Sequence, residues 1–183
     1  MNPQTLILID VQQGFDNPTW GQRNNPHAEQ NIARLLAFWR KHSWPVVHVR
    51  HCSISPGSPL AEGQPGNAYK PEGQPLPGEP DFKKSVNSAF IGTDLESFLR
   101  AHEAQDLVMA GLTTDHCVST SVRMAANMGF DVTMVSDATA TFDRTGPDGT
   151  YYSADLMHAV NLASLNGEFC RVVSTSDLLE AVK

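Results

Sequence analysis

A chain of 183 residues with 40% hydrophobic and 18% charged side chains has the size and composition of one globular domain spanning 1–183, which excludes a disordered or fibrous polymer. Its net charge of -7 leaves no basic surplus to set against phosphates, so nucleic acid is not an expected partner, and no apolar run approaches the roughly eighteen residues of a membrane span. Three widely spaced cysteines, Cys52, Cys117 and Cys170, make no disulfide framework, and Met1-Asn2-Pro3-Gln4-Thr5 lacks a signal pattern, so the reducing cytoplasm is the expected compartment.

In chain order, residues 6–9 form a short continuous apolar run ending at Asp10, the pattern of a strand buried on both faces. Over 28–41 the spacing of Ile32, Leu35, Leu36 and Trp39 predicts a helix with one apolar stripe. Pro45 opens a second strand at 46–49, a helix begins near Thr93, and a third apolar strand occupies 107–110. A helix over 115–128 stopped by Gly129, a strand at 132–135, a helix over 152–165, a strand at 169–173 and a helix over 176–182 complete the pattern. Strands alternating with helices predict an α/β fold, with a mostly parallel sheet covered by helices on both faces. Ligands of such sheets sit beyond the carboxyl ends of the strands, which is where Asp10 and the 111–117 segment fall.

The 52–83 stretch, rich in proline and glycine, shows little periodicity. A long irregular segment inside a domain serves either as a functional lid or oligomer contact, or as a surface excursion, and the sequence favours neither.

Candidate chemistry concentrates at three places. In Gly111-Leu112-Thr113-Thr114-Asp115-His116-Cys117, Thr114 or Asp115 can cap the next helix and put Cys117 in its first turn. Orphan N–H groups there would lower the thiol pKa and could hold an oxyanion, although a free cysteine also serves as a small packed hydrophobe. Asp10 is half buried by its strand, which raises its pKa toward that of a general base. Lys84 gains interest only beside these two. Cys52 and Cys170 have no helix start behind them and read as structural. His48 and His51, three apart on a strand, point to opposite faces and make a poor metal pair. His158 reads as a satisfied core histidine. Val11-Gln12-Gln13-Gly14-Phe15 lacks the dinucleotide fingerprint and no phosphate loop is present, so no cofactor is expected.

Taken together these residues resemble the isochorismatase-like cysteine hydrolases, which include nicotinamidases, carbamoylsarcosine amidohydrolases and ureidoacrylate amidohydrolases. The resemblance rests on Leu8-Ile9-Asp10-Val11-Gln12, on Lys84 with Ser88-Ala89-Phe90 and Gly92-Thr93-Asp94-Leu95, and on Gly111 to Val118 followed by Gly129 and Val135-Ser136-Asp137-Ala138. It spans nearly the whole chain in order. It implies a three-layer α/β/α fold on a six-stranded, Rossmann-like sheet, and a homodimer or homotetramer acting on a small molecule. Carried over, the roles make Cys117 the nucleophile, Asp10 the general base and later acid, and Lys84 the cation orienting Asp10. A cis peptide bond would join Leu112 to Thr113, and the backbone N–H groups of Thr113 and Cys117 would face the oxyanion. Phe15, Trp20, Asn87, Phe90, His116 and Phe142 are candidate substrate contacts.

Arg50-His51-Cys52-Ser53-Ile54-Ser55-Pro56 departs from the aspartate–histidine spacing of the metal-binding nicotinamidases, so no metal is expected and nicotinamide is a poor candidate substrate. Retention of Cys117 favours amide or carbamoyl hydrolysis through a thioester. Two alternatives stay open on sequence alone: vinyl-ether hydrolysis with Asp10 as acid, and a non-catalytic binding protein on the same fold.

Overall fold

Strand β1 (Thr5–Ile9) is buried along its whole length, as its uninterrupted apolar run requires. It lies at the centre of a six-stranded parallel sheet whose order is β3-β2-β1-β4-β5-β8. The partners are β2 (Val46–His51), β3 (Asp81–Lys84), β4 (Asp106–Leu112), β5 (Asp131–Ala140) and β8 (Arg171–Val173). The computed structural model describes residues 3–181. Met1-Asn2 of the expected amino terminus and Val182, the expected last residue of the final helix, lie outside the described residues.

Alternation along the strands sends side chains to two faces. Ile7, Ile9, Val47, Val49 and Met109 meet α2 (Leu95–Ala101), α3 (Ser119–Asn127) and α4 (Ala154–Leu165) through Leu95, Leu99, Val122, Ala125 and Leu165. On the other face Leu6, Leu8, Val108 and Ala110 meet α1 (Ala28–Lys41) and α5 (Thr175–Ala181) through Ile32, Leu35, Leu36, Trp39 and Leu178. This is the expected three-layer α/β/α architecture. No helix among the described residues is long and apolar enough to cross a membrane.

Several expectations need correction. Strand β3 was hidden in sequence, because Asp-Phe-Lys-Lys carries no apolar run and β3 is an edge strand with only Lys84 buried. Strands β4 and β5 run beyond the expected 107–110 and 132–135, since the sheet keeps pairing through Gly111–Thr139 and Leu112–Ala140 after a register shift. The helix expected over 115–128 is two pieces, a wide turn over Thr114–Val118 and then α3. A small hairpin, β6 (Arg144–Thr145) with β7 (Tyr151–Tyr152), precedes α4.

The 52–83 segment holds only short turns, yet it is tied to the end of β1. Gln12 donates from Nε2 to the Asn67 carbonyl at 3.0 Å, and its Oε1 accepts from the His51 N–H at 2.9 Å. The Lys70 N–H donates to the Val11 carbonyl at 2.9 Å, and Asn67 and Lys70 are buried. Packing against β1 therefore orders a stretch that its own periodicity does not.

Candidate active site

The order of strands reverses between β1 and β4, and chain segments diverge there above the carboxyl edge of the sheet. Asp10 is the first residue past β1. Its φ of 52° places it in the left-handed region that aspartate tolerates better than most residues, and its N–H donates to the Val49 carbonyl at 2.8 Å. Across the pair, Gly111 stands opposite Ile9 with φ 128°, and a Cβ there would run into the Ile9 carbonyl oxygen. Glycine is what lets β4 close on β1 at this level.

Lys84 ends β3, in register with His51 at the end of β2. Strand β3 is two places from β1, a span of about 9.5 Å that the long lysine stem closes together with the Asp10 side chain reaching toward it. Crossing β2, the Lys84 Nζ donates to Asp10 Oδ2 at 2.6 Å, to His51 Nδ1 at 3.1 Å and to Cys117 Sγ at 3.3 Å. All three ammonium protons are thereby engaged, and Asp10 and Lys84 are removed from solvent. Four neighbouring strands, β3, β2, β1 and β4, thus each deliver one group to a single point.

Cys117 reaches that point on the wide turn, where the Val118 N–H donates to the Thr113 carbonyl at 3.1 Å. Such π-type turns recur at functional sites. The expected caps are occupied elsewhere. Thr114 Oγ1 meets His158 Nδ1 at 2.9 Å, and Asp115 accepts from Thr113 Oγ1 at 2.9 Å, Thr141 Oγ1 at 2.5 Å and Arg144 Nη2 at 2.9 Å. The peptide bond joining Leu112 to Thr113 is cis.

Burial pushes the Cys117 thiol well above its ordinary value, and the Asp10 charge pushes the same way, outweighing the Lys84 ammonium. The expected lowering of this thiol is therefore overturned: a buried thiolate loses more hydration than the turn and the lysine return. Burial likewise raises Asp10 above the usual carboxylate range against the pull of Lys84. His51 is held below the usual imidazole value, first by burial and then by the Lys84 charge, so its Nδ1 keeps a free lone pair for the ammonium. Asp10 Oδ1 is buried and has no nitrogen donor, and the Cys117 thiol, whose Sγ stands within 4.8 Å of the carboxylate, is the group that faces it. The thiol therefore holds its proton beside a strengthened, unfilled base.

A cavity of about 130 Å³ opens onto these atoms. Phe15, Trp20, Asn87 and His116 stand on its wall with Asp10, Thr113 and Cys117. Two other candidates are elsewhere. Phe142 lies behind the wall, its ring centroid 6.4 Å from Phe15 and 5.9 Å from Trp20. Phe90 packs in the core, stacked on Phe130 at 6.2 Å. Sequence reasoning missed His51 and Leu60, which complete the wall. His51 could have been found by extending β2 two residues, since it shares the face of Val47 and Val49. His48, on the opposite face, binds Glu79 Oε2 at 2.8 Å. Leu60 carried no signal, being one apolar residue in an irregular segment.

Asp10, His51 and Cys117 are spaced as metal ligands, their donor atoms lying within 4.8 Å of one another. The Lys84 ammonium already stands among them as the cation, contacting all three, and would repel a second one.

The isochorismatase domain model matches residues 4–177. The isochorismatase family protein YrdC of Bacillus subtilis (strain 168) is 44% identical over 96% of this chain and 94% of its own length. Ureidoacrylate amidohydrolase RutB of Rhizobium rhizogenes (strain K84 / ATCC BAA-868) is 34% identical over 68% of this chain and 50% of its own length. The crystal structure of an isochorismatase-family protein from Chromobacterium violaceum ATCC 12472 superposes with a TM-score of 0.96 at 49% identity, covering 100% of this chain and 94% of that one.

Proposed function

This chain belongs to the isochorismatase family of hydrolases, and from that premise we propose that it cleaves the C–N bond of a small amide or carbamoyl compound through a thioester on Cys117. The observation that carries the reading is the contact set of Lys84 Nζ, 2.6 Å from Asp10 and 3.3 Å from Cys117, beside an Asp10 oxygen with no partner. RutB, named for an amidohydrolase activity, is among the relatives that support C–N chemistry over vinyl-ether cleavage.

In the proposed reaction Asp10 Oδ1 accepts the thiol proton as Sγ bonds to the carbonyl carbon. Lys84 keeps a counter-charge beside both the carboxylate and the sulfur. The backbone N–H groups of Thr113 and Cys117 hold the oxyanion. As the C–N bond breaks, Asp10 returns the proton to the departing nitrogen, which leaves as ammonia or an amine. Water then gives a proton to Asp10 and its oxygen to the thioester carbonyl. Sγ leaves, recovers the proton, and a carboxylic acid is released.

We assign this activity to a single domain acting in the cytoplasm as a homodimer or homotetramer, on a small molecule and without nucleic acid or membrane. The exposed Tyr151, Leu156 and Val160 around the β6–β7 hairpin and α4 favour self-association. The test is ammonia release from small amides with intact-mass detection of an acyl adduct on Cys117. Cys117→Ala should cut turnover by at least about 10⁴-fold and abolish the adduct. Turnover surviving that substitution would sink the nucleophile.

A further inference from the structure

A desolvated carboxylate is held most strongly by a cation with protons to spare, and the charges around this cavity can be followed one by one. Among the described residues Lys84 is the only cationic side chain in contact with the reacting groups, and its three N–H bonds end on Asp10 Oδ2, His51 Nδ1 and Cys117 Sγ. The other cations on the segments that build the cavity are each tied to a carboxylate. Arg23 binds Glu29 at 2.7 Å, Arg50 binds Asp81 at 2.9 Å, Arg144 binds Asp115 at 2.9 Å, and Lys70 pairs with Asp16 and Glu29. No Arg or Lys stands on the wall, where Phe15, Trp20 and Leu60 present apolar surface.

The buried carboxylate points the same way. Asp10 Oδ1 has no nitrogen donor and faces only the Cys117 thiol, so it can take an N–H of the substrate and repels a second carboxylate. Asn87, exposed at the mouth, adds a neutral polar group, and the His116 ring stands 3.6 Å from the Asp115 carboxylate, which faces it. The volume of about 130 Å³ equals that of about four liquid waters, which confines the group next to the sulfur to a compact one.

We propose that the site accepts an uncharged, compact acyl group bearing an N–H on the departing nitrogen, and rejects the same skeleton when it carries a carboxylate. This rests on Cys117 being the nucleophile and goes beyond it by fixing the charge of the substrate. An anion entering the cavity would shed its water against one phenyl face, one indole face and a like-charged Asp10, with no free counter-ion on the wall to replace it. Dianionic and monoanionic metabolites of the right size are thereby excluded in favour of neutral amides.

Iodoacetamide and iodoacetate test this directly, since they are near-isosteric alkylators of a thiol that differ in one neutral amide against one carboxylate. The rates at Cys117 are read by peptide mass in the folded protein and, as reference, in the urea-unfolded chain, both in high salt to screen the net charge. The expected result is an amide-over-acid rate ratio at folded Cys117 at least about 30-fold above the unfolded reference. Asn87→Arg, which sets a guanidinium at the exposed mouth, should raise the iodoacetate rate relative to the iodoacetamide rate at least about fivefold. Equal ratios in the two states overturn the proposal, as does a folded Cys117 that reacts with neither reagent. The labelling ratio does not depend on turnover. If Cys117→Ala keeps its activity while the ratio stands, the nucleophile reading fails and the selectivity of the cavity does not. Succinamide should then be hydrolysed, and succinamate spared, by about the same factor.

Discussion

His51 Nδ1 lies 3.1 Å from Lys84 Nζ, so a neutral imidazole at the end of β2 takes one of the three protons of the ammonium that serves Asp10 and Cys117. The ring acts through the lysine, as a positioning residue, by fixing where the ammonium points. His51→Ala should lower kcat about tenfold with KM nearly unchanged, because the geometry of the proton transfer suffers more than the cavity. His51→Asn, whose side-chain oxygen can stand near the place of Nδ1, should recover most of the rate. Steady-state kinetics of the two variants check this, and equal losses in both would make the ring mere packing.

The Asp10–Lys84 pair makes a second prediction. Lys84→Met removes the cation and leaves a carboxylate fully buried, which costs about 3–5 kcal/mol. The loss should be greatest near pH 8 and shrink in acid, where Asp10 takes up a proton and no longer needs the partner. Asp10→Asn combined with Lys84→Met should regain stability without regaining turnover. Urea melts of the single and double variants at two pH values measure both effects.

Gly111→Ala should be costly although it adds one methyl group. With φ at 128° and the Ile9 carbonyl in the way, an alanine must shift β4 against β1. The expected loss is on the order of 2 kcal/mol in urea unfolding, with activity falling further because Asp10 and Thr113 flank that contact. A variant as stable and active as the parent would show that the strand pair yields more easily than its geometry implies.

Acid stability follows from two buried imidazoles and a half-buried one. His48, His51 and His158 are each held below the ordinary value of 6.5, in every case first by burial. A depressed imidazole contributes stability that is present above pH 6.5 and is lost as pH falls through its folded value, because the unfolded chain binds the proton first. Tm should therefore be level above pH 7 and decline below about 6.5, before the ordinary carboxylate range is reached. Replacing His158 by Gln should reduce the slope in that window. Differential scanning calorimetry across the range decides it, and a level Tm down to pH 5 would contradict the assignment.

The sequence told more about the centre of the sheet than about its edges. Continuous apolar runs mark β1, β4 and β5 because both faces are buried, whereas β3 has water on most of its surface and reads as polar loop. Asp10, Lys84 and Cys117 were legible through the order of their motifs along the chain. His51 and Leu60 were not, since a histidine at a strand end and a leucine in a proline-rich stretch carry no periodicity. The thiol's pKa was misread for a related reason: helix-start residues suggest an exposed, electropositive terminus, while the turn at Thr114–Val118 folds inward and its caps bind His158 and Arg144 instead.

The ammonium and the three groups around it come from positions 84, 10, 51 and 117, one from each of four adjacent strand ends. No contiguous fragment of the chain contains them at bonding distance, and each joins only when its strand has docked. Turnover is therefore an all-or-none reporter of sheet assembly. During refolding, recovered activity should lag helix formation and coincide with closure of β3 on β2, so that a partly assembled chain, however helical, is chemically silent.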